Sequence, residues 1–456
     1  MKKIILVLLS LMFSVTFLMG CPNGGTVRPD LPARPTVNLP APAAPTTWTM
    51  PSISEIDGSN SGNHIRVSVA NHAGERARIQ LMMEAFTNLP STPTGFTFEL
   101  VNIDESVAST RLRQDPNPAM SADVISITHD QIGTLVDNGF ISGINTHETA
   151  LINLINRNTI GAVQAVMGYT GQTAHGYLGW RHYGFPYSHD THFLVYNRNR
   201  IPEGQRHLLN TFEGIKELGE IHEVARPFGM DMGNGFYTMN FFLSYGVRLF
   251  GPHGIQPGNV GFDSPQALQA MNFVYNNRNY INNVSPTQAP SMIGSPNGDI
   301  LTFITGPYRL GEFIGAIASG RASLGIRPLP MLEEGRPMFA NENYKMYVVN
   351  ARTTNRRLSM QVAAFLANST NQLDRVLHRD FKPTDRYLQA NSLDVQTNIL
   401  IPHLITQAQR SITVPSIAEL VSAWPALNPH VLAVWNGTTP TQEALNEVNR
   451  TIRYGL

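Results

Sequence analysis

Any chemistry in this chain of 456 residues must come from a few side chains whose neighbours put them on display. Asp130 stands in Thr128-His129-Asp130, just after the mostly apolar run Asp123-Val124-Ile125-Ser126-Ile127. Such a run reads as a buried parallel strand, and the carboxyl edge of strands is where α/β sheets place ligands. An ionised carboxylate there accepts hydrogen bonds from hydroxyl donors, although the same side chain is also suited to capping the turn at Gln131-Ile132-Gly133. Asp190, after Tyr187-Ser188-His189, offers a second carboxylate, with a solvated turn as its alternative. Asn71 and His72 occupy a strand-to-helix loop, the kind of segment that carries polar contacts. Trp424 precedes Pro425, which is expected to break the local helix and leave the ring displayed. His129 reads as a packing or hydrogen-bonding neighbour, with no metal set around it. Two carboxylates suffice in principle for glycosidic acid–base chemistry. With no nucleophile motif, metal-ligand cluster or phosphate loop beside them, an enzyme is not expected, nor is a cofactor.

The elements that must hold these residues follow from periodicity. Ile65, Val67 and Val69 alternate as a short strand, and Ile79, Met82, Met83 and Phe86 have the spacing of one helix face. A second strand is expected from Phe96 to Ile103 and a third at Asp123 to Ile127, so strand, helix and strand succeed one another in α/β fashion. Further on, Ser264-Pro265 is an N-cap with proline at the first helical position, ahead of Ala267, Met271 and Val274. Thr439-Pro440-Thr441-Gln442 reads as a capping box before Leu445, Val448 and Ile452.

The amino terminus reads differently. Lys2 and Lys3 precede an apolar stretch from Ile4 to Met19, shorter than the roughly 20 residues that span a bilayer. Residues 1–20 are therefore expected to be a signal peptide. Leu18-Met19-Gly20-Cys21 resembles a lipobox, whose product is a lipoprotein with acyl chains such as palmitate anchored at Cys21, the single cysteine of the chain. From 21 to 62 the sequence is rich in proline, with Pro29, Pro32, Pro35, Pro40, Pro42, Pro45 and Pro51, and is expected to be an extended, semi-rigid spacer. Signal removal lowers the 33 basic side chains by two against 33 acidic ones. That near-neutral balance argues against nucleic acid. The residues beyond the spacer exceed one ordinary core and suggest two lobes.

Several stretches resemble the extracellular solute-binding proteins of ABC importers, and in particular the maltose/maltodextrin type. They are ADVISITHDQIGTLVDNGFISGI, YGFPYSHDTHFLVYNRNRI, ILTFITGPYRLGEF, SLGIRPLPMLEEGRPMFANENYKMYVVNA and VPSIAELVSAWPALNPHVLAVWNGTTPTQEALNEV, in the family's order from about residue 65 to the end. The resemblance implies a type II periplasmic-binding fold of two α/β lobes with hinge crossovers. Lobe one would comprise 63–187 and 340–392, and lobe two 188–339 and 393–456. It also implies site residues. Asp130 matches the family's sugar-binding carboxylate, and Asp190 a longer glutamate facing the cleft. Trp424 and Tyr308 match stacking aromatics, and Phe236 a stacking tyrosine. Ile127 replaces a family tryptophan and Asn234 an acid, which departs from the maltodextrin pattern.

A sugar offers hydroxyls at its edges and an apolar C–H face, so carboxylates and rings suit it. The resemblance implies a monomeric, envelope-located receptor, lipid-anchored on the outer side of the cytoplasmic membrane. It would deliver an oligosaccharide or glycoside to an ABC permease. The alternatives are the same fold binding a polyamine, peptide or organic anion, or a surface adhesin.

Overall fold

A computed structural model describes residues 28–53, 61–70, 74–171, 179–379 and 381–454. Cys21, the signal region, Asn71 and His72 lie outside them. The chain first lays down β1 (His64–Val69), the helix α1 (Glu75–Thr87), β2 (Thr97–Asn102) and β3 (Val124–Thr128). β1 pairs in parallel with both β2 and β3. Ile65, Val67 and Val69 are buried against Ile79, Met82, Met83 and Phe86 of α1, the face expected from the spacing.

The long strand β4 (Gly184–Thr191) then leads through His192 directly into β5 (Phe193–Asn197). Its neighbours in a second sheet are β6 (Phe228–Met230), β7 (Ile281–Asn283), β8 (Thr302–Thr305) and β9 (Leu324–Arg327), in the order β9-β5-β8-β6-β7. Helices pack beside it. In α2 (Gly235–Ser244) all but one residue is buried, while α3 (Pro265–Asn277) begins where Ser264 Oγ accepts from Ala267 N at 3.2 Å. The chain returns by β10 (Ala340–Val349), and β11 (Lys382–Pro383) and β12 (Ser411–Thr413) complete a seven-stranded first sheet. Its order is β11-β4-β10-β3-β1-β2, with β12 added in parallel to β10. Two large apolar clusters, one under each sheet, make the two-lobe α/β fold. No helix among the described residues is long and apolar enough to cross a membrane.

The strands that cross between the sheets carry buried polar groups. His189 Nε2 on β4 lies 2.6 Å from Glu342 Oε1 on β10, and Lys382 Nζ on β11 lies 3.0 Å from His189 Nδ1. The ammonium donates to Nδ1, which leaves the imidazole proton on Nε2, facing Glu342. Burial alone would raise Glu342, but His189, Thr413 and Lys382 bring it down to about 2. Burial lowers Lys382 to about 8.

The proline-rich segment departs from the expected spacer. Over residues 28–53 it has no regular secondary structure, yet it lies along the folded body. Trp180, Arg386, Arg157 and Gln361 donate to the carbonyls of Pro32, Pro40, Ala43 and Pro51. Arg28 reaches both Asp137 and Glu419. Leu31 packs on the second core, and Ile53 and Trp48 on the first, with Trp48 edge-on to Phe365 at 5.7 Å. A chain held extended by prolines cannot satisfy its own carbonyls, so donors on the body take them.

Candidate functional site

A cavity of about 470 Å³ opens between the two sheets. Its first wall is built on strand ends. β10 runs between β3 and β4, with Lys345 opposite Thr128 and Ser188, and Asn343 opposite Asp190. Residues two apart on a strand share a face, so Asn343 and Lys345 both line the cavity. After β2, Asp104 Oδ1 accepts from Ser106 N at 2.9 Å and starts a short 3₁₀ turn that delivers Glu105 to the same place. Glu105 accepts from Tyr187 Oη at 2.8 Å and Ser126 Oγ at 3.2 Å, and pairs with Lys345 Nζ at 2.7 Å. Lys345 Nζ is also 3.9 Å from Asp190 Oδ2. Burial alone would lower this lysine, but Glu105 and Asp190 outweigh it and the ammonium is held above its ordinary range. Asp190 is pushed up to about 6 by burial, against the opposing pull of Lys345.

Asp130 sits in the 3₁₀ turn His129–Gln131 at the end of β3 and makes no capping bond there. Gln131 ties this turn to a segment distant in sequence, accepting from Ser109 N at 2.7 Å, and its Nε2 donates to Thr128 Oγ1 at 2.8 Å. Asp130 Oδ1 and Asp190 Oδ1 are both buried with no hydrogen-bond partner among the described residues. His129 is fully buried, with Nε2 2.7 Å from the Val414 carbonyl, and does not line the cavity.

The opposite wall is aromatic. Asn234 caps α2, its Oδ1 accepting from Phe236 N at 3.1 Å, which places Phe236 and Tyr237 in the first turn. Phe236 meets Trp424 edge-to-face at 5.8 Å and 81°, forming a corner of two rings. Trp424 and Pro425 belong to α4 (Ala423–Trp435), so Pro425 does not break the helix as expected. It lies in the first turn, where its missing N–H has no partner to lose. Tyr308 follows Gly306, at which a Cβ would fall 2.2 Å from the tyrosine ring, so glycine is needed for that approach. Tyr308 Oη lies 2.8 Å from Tyr237 Oη, and burial pushes Tyr237 to about 12. Tyr237 also stacks on His192 at 4.7 Å.

The cavity thus brings together Asp130, Asp190, Phe236, Tyr308 and Trp424. Reasoning from sequence missed Tyr237, Glu105, Asn343 and Lys345 at the same place. Tyr237 adjoins Phe236, and Lys345 is a lone cation in an otherwise apolar strand run, Met346 to Val349. Those two left a signal, whereas Glu105 left none.

The whole-chain comparisons agree with this architecture. The Galactooligosaccharide-binding protein of Bacillus subtilis (strain 168) is 23% identical over 352 residues, covering 75% of this chain and 79% of that protein. The Maltodextrin-binding protein MdxE of the same organism is 21% identical over 288 residues, 60% of this chain and 67% of that one. MalX from Streptococcus pneumoniae, solved in complex with maltopentaose, superposes with a TM-score of 0.71 at 17% identity, covering 85% of this chain and 99% of that chain. The family model for bacterial extracellular solute-binding proteins matches residues 82–384, more than half the chain. With that match and the two-lobe fold together, the chain belongs to the bacterial extracellular solute-binding proteins.

Proposed function

We propose that this protein captures a carbohydrate, an oligosaccharide or glycoside, between its two lobes and hands it to the transmembrane subunits of an ABC permease. The observation that carries the reading is the pairing of an aromatic corner, Phe236 with Trp424, and two buried acceptor atoms, Asp130 Oδ1 and Asp190 Oδ1, in one cavity. Rings take the C–H face of a sugar, and carboxylates take its hydroxyl donors. The named ligands of the relatives point the same way. The carboxylates of Asp130 and Asp190 disfavour an organic anion by like-charge repulsion. Asn71 and His72 belong to this reading as further polar contacts. The mature protein is a monomer tethered through lipid on Cys21 at the cell envelope, after loss of residues 1–20, and acts as a receptor with no catalytic step.

The test is calorimetric titration with a panel of oligosaccharides, a polyamine and an organic anion, together with mass spectrometry of whatever co-purifies. Saturable heat from at least one sugar and none from the other two is expected. Saturation by the polyamine or the anion alone would overturn the carbohydrate reading.

A further inference from the structure

Strand β10 contributes to a second cavity, of about 480 Å³, that shares no lining residue with the first. Asn341 lines it, whereas Asn343 and Lys345 of the same strand line the cleft. Its other walls are the proline-rich segment at Arg34, the lobe-two loop bearing Arg248 and His253, and strand β12. No acidic side chain is among its lining residues.

The two arginines here are half-buried and have no carboxylate partner among the described residues. Arg34 donates one hydrogen bond, from Nη2 to Ser416 Oγ at 2.7 Å, and its guanidinium lies 5.0 Å from the centre of the Trp180 ring. Its Nε is buried with no hydrogen-bond partner among the described residues. Arg248 gives Nη1 to the carbonyls of Leu243 and Val247. Burial lowers Arg34 to about 10 and also lowers Arg248, with no carboxylate opposing it in either case. Glu342 is close by, accepting from Thr413 Oγ1 at 2.7 Å, but it is engaged by His189 and does not line the cavity. Buried cations are ordinarily paired, and guanidinium is the side chain that best matches an oxyanion.

We propose that this hinge cavity is a site for a small oxyanion, a free phosphate or sulfate or the phosphate of a lipid headgroup, held by Arg34 and Arg248. The anion ties the proline-rich segment to lobe two beside the strands that cross between the lobes. Asn341 extends the link to the cleft, since its Nδ2 donates to the Phe236 carbonyl at 2.6 Å. The proposal does not depend on what the cleft binds.

The experiment is thermal denaturation of the mature chain, without carbohydrate, titrated with sodium phosphate, sodium sulfate or glycerol 3-phosphate at constant ionic strength set by chloride. A saturating rise of about 3 °C or more is expected. Arg34→Gln and Arg248→Gln should each abolish it, and Arg34→Lys should retain part. A larger rise with glycerol 3-phosphate than with phosphate assigns the site to headgroups, and an equal rise assigns it to the free ion. No saturable rise, or the same rise in both glutamine variants, overturns the proposal. Should a variant melt too low to read, crystals soaked in selenate decide. An anomalous peak in contact with both arginines supports the site, and its absence sinks it.

Discussion

At Asp190 the carboxylate, 6% exposed, lines the cavity beside Lys345, and its value of about 6 makes binding and folding respond to pH in opposite directions. Only the ionised form gives charge-assisted acceptance of hydroxyl donors, so sugar affinity should fall as pH drops from 7 to 5. Calorimetry on Asp190→Asn should show weaker binding that is flat across that window. For folding, a value raised above the unfolded ~4 contributes stability that is full below pH 4 and lost as pH climbs through 6. Thermal melts should therefore show the Asn variant gaining on the parent as pH rises from 4 to 7. Trp424 raises a different expectation, because its half-buried ring faces Phe236 edge-on. Trp424→Ala should weaken sugar binding about tenfold, ~1.4 kcal/mol, while a cooperative melt persists. Unchanged affinity would remove the stacking role.

Strand β10 is the element on which most of the site depends, because it threads polar residues between β3 and β4 and carries Lys345, the ammonium that pairs with Glu105. The side chains of Lys345 and Glu105 are 4% and 6% exposed. Lys345→Met removes this buried ion pair by deleting one of its members, a loss of about 3–5 kcal/mol expected in denaturant titration. A loss below about 1 kcal/mol would mean that water already screens the pair. The proline-rich segment is the second element with a measurable role. Trp48→Ala removes its edge-on contact with Phe365 and should lower the melting temperature by a few degrees, about 1–2 kcal/mol for a partly buried ring. A melt identical to the parent would return the segment to the status of a free spacer.

At the scale of the whole molecule, aromatic rings on lobe two and carboxylates on lobe one and its crossover strand give a ligand contacts on both sides of a hinge. A ligand bound across such a gap shifts the population toward closure only through contacts that exist when closed. Small-angle scattering should then show a smaller radius of gyration with saturating sugar, and an unchanged profile would separate binding from closure. Much of this architecture was legible in the sequence. Alternation at Ile65, Val67 and Val69, the apolar run before Asp130 and the Ser264 cap report local periodicity and backbone chemistry, which neighbours in the chain determine. The ordered run of family-like segments carried the two-lobe expectation for the same reason. Tertiary structure alone decided the rest. Lys345 and Asp190 are brought together by strand pairing, and Glu105 by an ion pair from the turn after β2, between residues far apart in sequence, and no local pattern encodes such contacts. Pro425 sits harmlessly in a first helical turn because of where α4 begins. A proline-rich stretch that composition assigns to solvent lies on the protein, because donors such as Trp180, Arg157, Gln361 and Arg386 meet its carbonyls.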